Sequence, residues 1–256
     1  MKYLTLITAI LFSSSAIGQD TLNQKGEMEF KRLSIGVNIS PDYCYRTLKN
    51  NNGSSTSDMI IDLRDESEGP KLGYTAGINA GYNFSKNWGV EMGIQYSNKG
   101  YEFKNSALTF GDMIDPRYGF IYTSNGTAAP TYAKFVYHHH YLDVPVRVLY
   151  SFGKKRLHFV TSIGVTTNIL LNATMTSVVK YGNDDAKRQT YDQPYDFNTF
   201  NISPTISVGV DYKINNKINL RAEPTFRYGL LKITDTPVTA TLWSAGLNFS
   251  CYYLLK

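Results

Sequence analysis

The sequence is poor in several features, and each scarcity excludes a class of protein. Only two of its 256 residues are cysteines, which is too few for a disulfide-rich secreted scaffold. After the first 20 residues, no apolar run approaches the roughly 20 residues that a membrane-spanning helix needs. Basic residues exceed acidic ones only mildly, 26 against 21, and form no basic stripe. Nucleic acid is therefore not expected as a partner.

The N-terminus has the pattern of an export signal. Lys2 precedes an apolar run over residues 4–12, and residues 13–18 are mostly small. We predict a signal peptide over residues 1–18, cleaved before Gln19, because the run is too short for a span. A charged periplasmic leader over residues 19–32 is predicted to follow.

Apolar and polar residues alternate along most of the remaining chain. The clearest stretch is 138–174, which turns back at 153–156 and predicts a β-hairpin. The same period-two pattern recurs in six further segments, so we predict eight strands. Short turns are expected at 85–87 and 215–217, long polar loops at 47–70, 104–134 and 173–200, and a shorter loop at 232–239.

Three features favour lipid rather than a protein core on the apolar side of these strands. Long and short connections alternate, the apolar faces carry no charge, and aromatic residues gather at both edges of the apolar band. Only a closed barrel can satisfy its backbone hydrogen bonds in lipid. We therefore predict an all-β fold over residues 33–256, an eight-stranded antiparallel up-and-down transmembrane β-barrel with long extracellular loops. A secreted sandwich or lipocalin-like barrel is the alternative.

The two cysteines are predicted to remain free thiols. Cys44 falls near the end of strand one and Cys251 near the opposite end of strand eight. If these strands pair antiparallel, about six residues separate the two, on the order of 20 Å, which is beyond the reach of a disulfide.

One strand start is specific enough to suggest a family. The segment Tyr141-Leu142-Asp143-Val144-Pro145, together with the signal and the glycine-aromatic strands, resembles the PorT-like outer-membrane β-barrel family of Bacteroidetes over nearly the whole mature chain. The resemblance implies an eight-stranded barrel in the outer membrane, and the family's namesake is linked to type IX secretion. The chain departs from the usual terminal aromatic of barrel proteins, because it closes with Leu-Leu-Lys at 254–256.

Charged residues occupy inward positions of the predicted strands. The set that we predict to form a paired plug is Glu91, Asp143, Arg147, Arg221, Glu223 and Arg227. An eight-stranded barrel is narrow enough for side chains to fill, and an unpaired buried charge would be costly. A proton or ion path through the same residues is the alternative.

No catalytic, metal or cofactor site is predicted. His138 and His140 share the outward face and could meet one ion or a lipid phosphate, but no third ligand is identifiable, so a solvated rim is preferred. Ser97 is the one loose nucleophile candidate, and it points inward whereas the two histidines point outward.

The long loops carry the candidate recognition residues. These are the aromatic residues Tyr118, Phe120, Tyr122, Tyr181, Tyr191 and Tyr195. The leading hypothesis is a non-enzymatic, monomeric barrel in outer-membrane lipid that binds a protein of the secretion machinery or cell surface. A narrow channel or small-ligand carrier is the second hypothesis, and a lipid-modifying enzyme is the third.

Overall fold

The computed structural model describes residues 31–105, 113–115, 120–122, 132–154, 156–180, 185–193 and 196–255. The predicted signal peptide and all but the last two residues of the predicted leader lie outside this range. The elements in chain order are β1 (Leu33–Asn50), α1 (Ser55–Ser67), β2 (Glu68–Asn83), β3 (Trp88–Asn105), β4 (Met113–Asp115), β5 (Phe120–Tyr122), β6 (Tyr132–Lys154), β7 (Leu157–Lys180), β8 (Lys187–Asp192), β9 (Phe200–Lys213), β10 (Ile218–Tyr228) and β11 (Val238–Leu254).

Eight long strands close into a ring. The order is β6-β3-β2-β1-β11-β10-β9-β7, and pairing of β6 with β7 joins the two ends. Every neighbouring pair is antiparallel, which confirms the predicted eight-stranded antiparallel barrel. Two smaller features lie outside the ring, since β8 adds to the free end of β7 and β4 pairs only with β5.

The side-chain pattern of the ring is the reverse of a soluble core. Outward residues are apolar and exposed, as at Val37 (59 %) and Ile78 (54 %), whereas inward residues are polar and buried, as at Asn79 (2 %) and Glu91 (4 %). Since exposed apolar surface on this scale is unfavourable in water, the outer wall suits a hydrocarbon environment. We call this apolar surface the lipid-facing band.

Aromatic residues mark both edges of the band. At the turn side the rings of Trp88 and Tyr150 lie 4.9 Å apart between centroids. At the loop side Tyr74 and Tyr96 are 5.9 Å apart, and Trp243 contacts neighbouring aromatic rings in the same way. We call these two rows the turn-side girdle and the loop-side girdle.

Several strands continue well past the loop-side girdle. We call residues 99–105 of β3, 132–139 of β6 and 173–180 of β7, with β8, the extension. The predicted loops at 104–134 and 173–200 are therefore too long, because β3 reaches Asn105, β6 starts at Tyr132, and β7 and β8 occupy much of the third loop. Period-two alternation continues through these residues and supports strands rather than loops.

The predicted loop at 47–70 is also wrong over most of its length. β1 runs to Asn50, α1 spans Ser55–Ser67, and β2 starts at Glu68. Ser54 is the N-cap, accepting from the amide of Thr56, and Asp58 lies in the first turn, where a negative charge favours the helix. Among the described residues, no helix has the length and apolar content to cross a bilayer.

The cysteine prediction is confirmed. Cys44 pairs across the sheet with Ser244, whereas Cys251 pairs with Val37, seven positions further along each strand. Both are free thiols, with Cys44 buried inside the barrel and Cys251 exposed outside.

Candidate functional site

Glu91 is the centre of an ionic cluster inside the turn-side half of the barrel. Its carboxylate is paired with the Arg147 guanidinium and lies 3.1 Å from Nη1 of Arg221. The hydroxyl of Tyr252 donates to Glu91 Oε2 at 2.7 Å. These partners come from β3, β6, β10 and β11, so the cluster forms only when the ring closes.

Two further acidic residues extend this cluster. Asp211 lies 3.1 Å from Nη2 of Arg221, and Glu223 Oε2 lies 3.6 Å from Nη1 of Arg147. Ser207 also donates to Glu223, at 2.9 Å. The Arg221 guanidinium lies 4.6 Å from the ring centroid of Tyr252, where the ring face attracts a cation.

The other two predicted charges belong to separate pairs nearer the loops. Arg227 lies 3.3 Å from Asp42, which also accepts from Ser40 at 2.6 Å. Asp143 pairs with Lys99 at 2.9 Å and accepts from Asn168 at 2.6 Å. The six predicted charges therefore form three groups rather than one.

Sequence reasoning missed Asp42 and Lys99 as members of this interior. Asp42 lies at an inward position of β1 directly after Pro41. Lys99 continues the inward positions of β3 beyond the residue at which the predicted strand ended. Continuing the alternation by two residues would have found Lys99.

Amide side chains connect these groups around the wall. Asn79 donates to Asn38 at 3.1 Å, Asn38 donates to Asn248 at 3.0 Å, and Gln95 donates to Asn79 at 2.9 Å. Each residue is at least 94 % buried. These amides thus find partners that water would otherwise supply.

Inward glycines make room for the long side chains. A Cβ placed on Gly164 would lie 2.9 Å from Cγ of Arg147, and one on Gly209 would lie 2.9 Å from Cγ of Glu223. Both distances are shorter than an ordinary carbon contact. The arginine and glutamate stems therefore lie across positions where any larger residue would displace them.

The loop-side end of the interior contains an aromatic core in addition to ion pairs. Tyr101 and Tyr137 stack with centroids 4.7 Å apart, and His139 meets Phe197 edge-on at 5.2 Å. The buried residues of this aromatic core are Tyr101, Phe103, Tyr137, Tyr141, Ile233, Ala240 and Leu242. Most of them lie within or next to the extension.

A second ionic cluster joins α1 to β1 and β2 at this end of the barrel. Glu68 accepts from Nε of Arg46 at 2.7 Å and from Nε of Arg64 at 2.8 Å, and Arg46 also pairs with Asp65. Arg64 donates in turn to the hydroxyl of the inward-facing Tyr101, at 3.3 Å. The helix is therefore held against the rim of the barrel mouth.

The predicted histidine rim is only partly solvated. His138 is half-buried, with Nδ1 2.7 Å from Nζ of Lys71 and 3.2 Å from Oδ1 of Asn98. His140 contacts the hydroxyl of Tyr96, and its ring centroid lies 6.1 Å from that of His138. In the part of the chain that the structure describes, no three His, Cys, Asp or Glu side chains are grouped to hold a metal.

The candidate loop residues are placed unevenly. Tyr118, Tyr181 and Tyr195 lie outside the described residues, and Phe120 and Tyr122 belong to the short strand β5. Tyr191 lies on β8 and is 48 % exposed. Only Tyr191 can therefore be assigned to a defined surface.

Comparison with known proteins agrees with this architecture. A family model described as "Outer membrane protein beta-barrel domain" matches residues 17–235. The chain belongs to this family. It is accordingly an outer-membrane protein, and its lipid-facing band lies in that membrane. Membership in the PorT-like group stays a prediction.

Solved outer-membrane proteins are similar in fold at low sequence identity. The protein AlkL in lipid bilayers is 13 % identical, covers 94 % of this chain and 97 % of its own, and gives a TM-score of 0.45. OprG from Pseudomonas aeruginosa is 11 % identical, with coverages of 90 % and 99 % and a TM-score of 0.43. Neisserial surface protein A is 13 % identical, with coverages of 87 % and 97 % and a TM-score of 0.41. No curated protein matches in sequence.

Proposed function

We propose that this barrel is a non-enzymatic outer-membrane protein with a plugged interior that binds a protein partner through its extracellular surface. The observation that carries the proposal is the free edge of β8. Within the described residues, β8 pairs with β7 along one edge and with no strand along the other.

The closed interior supports the plugged part of the proposal. Two cavities in the lumen, one next to Glu91 and one next to Lys99, have volumes of about 90 and 10 Å³, room for a few waters at most. Charges that pair with one another leave few groups available to a passing ion. The purified barrel in planar bilayers should therefore show no stable conductance, and sustained single-channel currents would favour the narrow-channel alternative instead.

The interior charges also have the arrangement of a structural network rather than a catalytic one. Asp143 is saturated by Lys99 and Asn168, and Glu91 by two arginines and a tyrosine. A general base needs a free lone pair near substrate. Ser97 is fully buried, on the face opposite His140.

The extension carries β8 above the loop-side girdle, where β8 pairs with residues 174–179 of β7. β6 runs eight residues past the loop-side girdle, over 132–139, or about 26 Å at the usual strand rise. All six residues of β8, Lys187–Asp192, are exposed. Unpaired edges of this kind accept a further strand from another chain.

The composition of β8 indicates the chemistry of the partner. Lys187 and Arg188 are exposed cations, and Tyr191 offers a large amphipathic side chain of the type enriched at interfaces. An extended, acidic segment of a protein fits this edge. The PorT-like resemblance makes a component of the type IX secretion machinery the first partner to test.

Site-specific photo-crosslinking in intact cells tests this proposal. A photoreactive residue at Tyr191 should give a discrete protein adduct, whereas one at Lys86, in the turn at the opposite end of the barrel, should not give the same adduct. The charge reversal Arg188→Glu should reduce the Tyr191 adduct several-fold while the barrel stays folded in a heat-modifiability gel. Absence of an adduct at Tyr191, or an identical adduct at both positions, would remove the proposal.

A further inference from the structure

The outer wall of the barrel has a notch on its loop side. β10 ends at Tyr228, opposite Trp243, but β11 and β1 keep pairing for five more residues, 238–242 with 46–50. On the other side of the notch, β9 starts at Phe200 and pairs with β7. Over this height the position of a regular strand is taken by the irregular segment 229–234.

The chain after β10 folds into the notch without filling it. Gly229 donates its amide to Leu242 at 2.8 Å and Leu230 donates to Ile202 at 2.9 Å, so the segment bridges the two flanking strands. Ile233 then turns into the aromatic core, at 4 % exposure, whereas Leu230 and Leu231 stay outside at 56 % and 42 %. A groove with a volume of about 1070 Å³ remains on the outer wall.

The groove lies at the depth of lipid headgroups. Trp243 contacts Tyr43, Tyr45 and Phe226 with centroids 6.1 to 6.3 Å apart, and this part of the loop-side girdle lies directly below the groove. Tyrosine and tryptophan side chains occupy the interface between hydrocarbon and headgroups. The lower end of the groove is thus continuous with the lipid-facing band.

The lining of the groove has an apolar side and a polar side, as a lipid molecule has an apolar and a polar part. Phe200, Leu230 and Leu231 form an apolar side, and the exposed Thr47 lies on the opposite side, where the hydroxyls of Thr239 and Thr241 are already bonded to Asn51 and Tyr228. Globular surfaces rarely leave such large apolar side chains exposed together without a partner. An acyl chain is the occupant that this side would accept.

Two lysines at the groove supply the charge. Lys232 is paired with Asp235. Lys49 is exposed on the outward face of β1, and among the described residues no carboxylate lies within salt-bridge distance of its ammonium. The groove therefore keeps one uncompensated positive charge next to the hydroxyl of Thr47, a combination that suits a phosphate.

We propose that this groove is a binding site for a phosphorylated lipid of the outer leaflet. The phosphate is held by Lys49 with the Thr47 hydroxyl two residues before it on the same face of β1, and one acyl chain lies along Leu230, Leu231 and Phe200. The site is separate from β8, so it does not depend on the partner proposed above.

Native mass spectrometry of the folded full chain in mild detergent tests the site, with lipid A as the probe. One lipid A should remain bound per chain. Lys49→Gln should weaken binding roughly tenfold, as expected for loss of a charge-assisted hydrogen bond, and Leu230→Ser should weaken it roughly threefold through lost apolar contact. Lys217→Gln, which removes an exposed lysine at the opposite end of the barrel, should leave binding unchanged.

Competition separates a lipid from other occupants. Dephosphorylated lipid A should bind at least severalfold more weakly, and millimolar inorganic phosphate should not displace the lipid. Equal binding of the dephosphorylated form, equal loss with Lys217→Gln, or displacement by inorganic phosphate alone would each overturn the proposal. Heat-modifiability gels verify that every variant measured is folded.

Discussion

The two ends of this barrel are filled differently although the same strands form both, because the turn-side half is ionic whereas the loop-side end combines an aromatic core with ion pairs. On the inward positions of β3, the membrane half carries Glu91 and Gln95, whereas the extension carries Tyr101 and Phe103. The outward positions change in the opposite sense, from the apolar Met92 and Ile94 to the charged Glu102 and Lys104. Odd-numbered residues of β3 face inward in both halves, so the halves differ in the class of residue at each position and not in the direction of the side chains.

The difference follows from the solvent outside the wall. In the membrane the outer face must be apolar, so polar residues collect inside and are tolerated only where they pair. Above the loop-side girdle water surrounds the strands, and burial of aromatic side chains inside again provides the driving force. The position of the exchange therefore marks the membrane boundary.

The largest effect should come from breaking the ionic cluster. Glu91→Gln leaves Arg147 and Arg221 without their shared carboxylate, and removal of one partner of a buried ion pair costs about 3–5 kcal/mol. The same change on the same strand in the extension, Glu102→Gln, should cost less than about 1 kcal/mol because that pair is partly exposed. Urea unfolding in lipid vesicles, followed by tryptophan fluorescence, measures both, and equal losses would contradict the contrast.

A charge placed on the outer face should distinguish the two halves next. Ile94→Lys introduces a cation on the lipid-facing band, where the expected cost is about 2–4 kcal/mol near the bilayer midplane. Val136→Lys places the same charge on the outward face of the extension, where we expect a change within about 0.5 kcal/mol. If both variants unfolded at the same urea concentration, the boundary drawn at the loop-side girdle would be incorrect.

A smaller effect is expected from filling an inward glycine. Gly164→Ala brings a methyl group into steric overlap with the carbonyl oxygen of Val146 and 2.9 Å from Cγ of Arg147, so the strand and the Arg147 stem must both shift, and such overpacking costs about 1–3 kcal/mol. Because Arg147 must move, the variant should also weaken the pair with Glu91. Gly69→Ala is the matched control, because a Cβ there meets nothing within 4 Å, and it should unfold like the unmodified chain.

The smallest effect concerns pH and the extension. Burial alone would raise the pKa of Glu102, but hydrogen bonds from Lys104 and Lys134 hold this pKa below its ordinary value. The stabilisation is therefore complete above the unfolded pKa of about 4.3 and is lost as the pH falls through the lower folded value. The difference in urea midpoint between the unmodified chain and Glu102→Gln should be small at pH 7 and shrink further as the pH falls below the unfolded pKa. A difference that grew on acidification would refute this assignment.

Much of the fold was predictable because alternation is a local property. The strands, their inward and outward faces and the free cysteines all follow from the period of two. Prediction failed where the surroundings of the barrel change from lipid to water. The apolar outward residues of β3 end at Tyr96, whereas the strand continues to Asn105. The helix α1 was missed since its stretch is polar, and its signal is the Ser54 cap rather than an amphipathic pattern.

The interior was predictable as a set of positions but not as a set of pairs. Glu91, Arg147 and Arg221 are far apart in sequence, and their contact depends on the stagger of the strands when the ring closes. The pairing of Arg227 with Asp42 joins β10 to β1 across the closed barrel. No local pattern contains that information, since a change of register by two residues would keep every side chain on its face and exchange its partners.

The sequence by itself determined a closed barrel with an apolar outer wall. In a membrane, a sheet with one apolar and one polar face must close into a barrel, because an open edge would leave backbone groups unpaired in lipid. The tertiary structure alone decided which charges pair, where an aromatic core joins the ion pairs, and where a regular strand of the wall gives way to an irregular segment. These features depend on strand lengths and stagger, which are set by contacts between residues distant in the chain. The notch beside β10 is such a feature, because it arises from the different heights at which three neighbouring strands end.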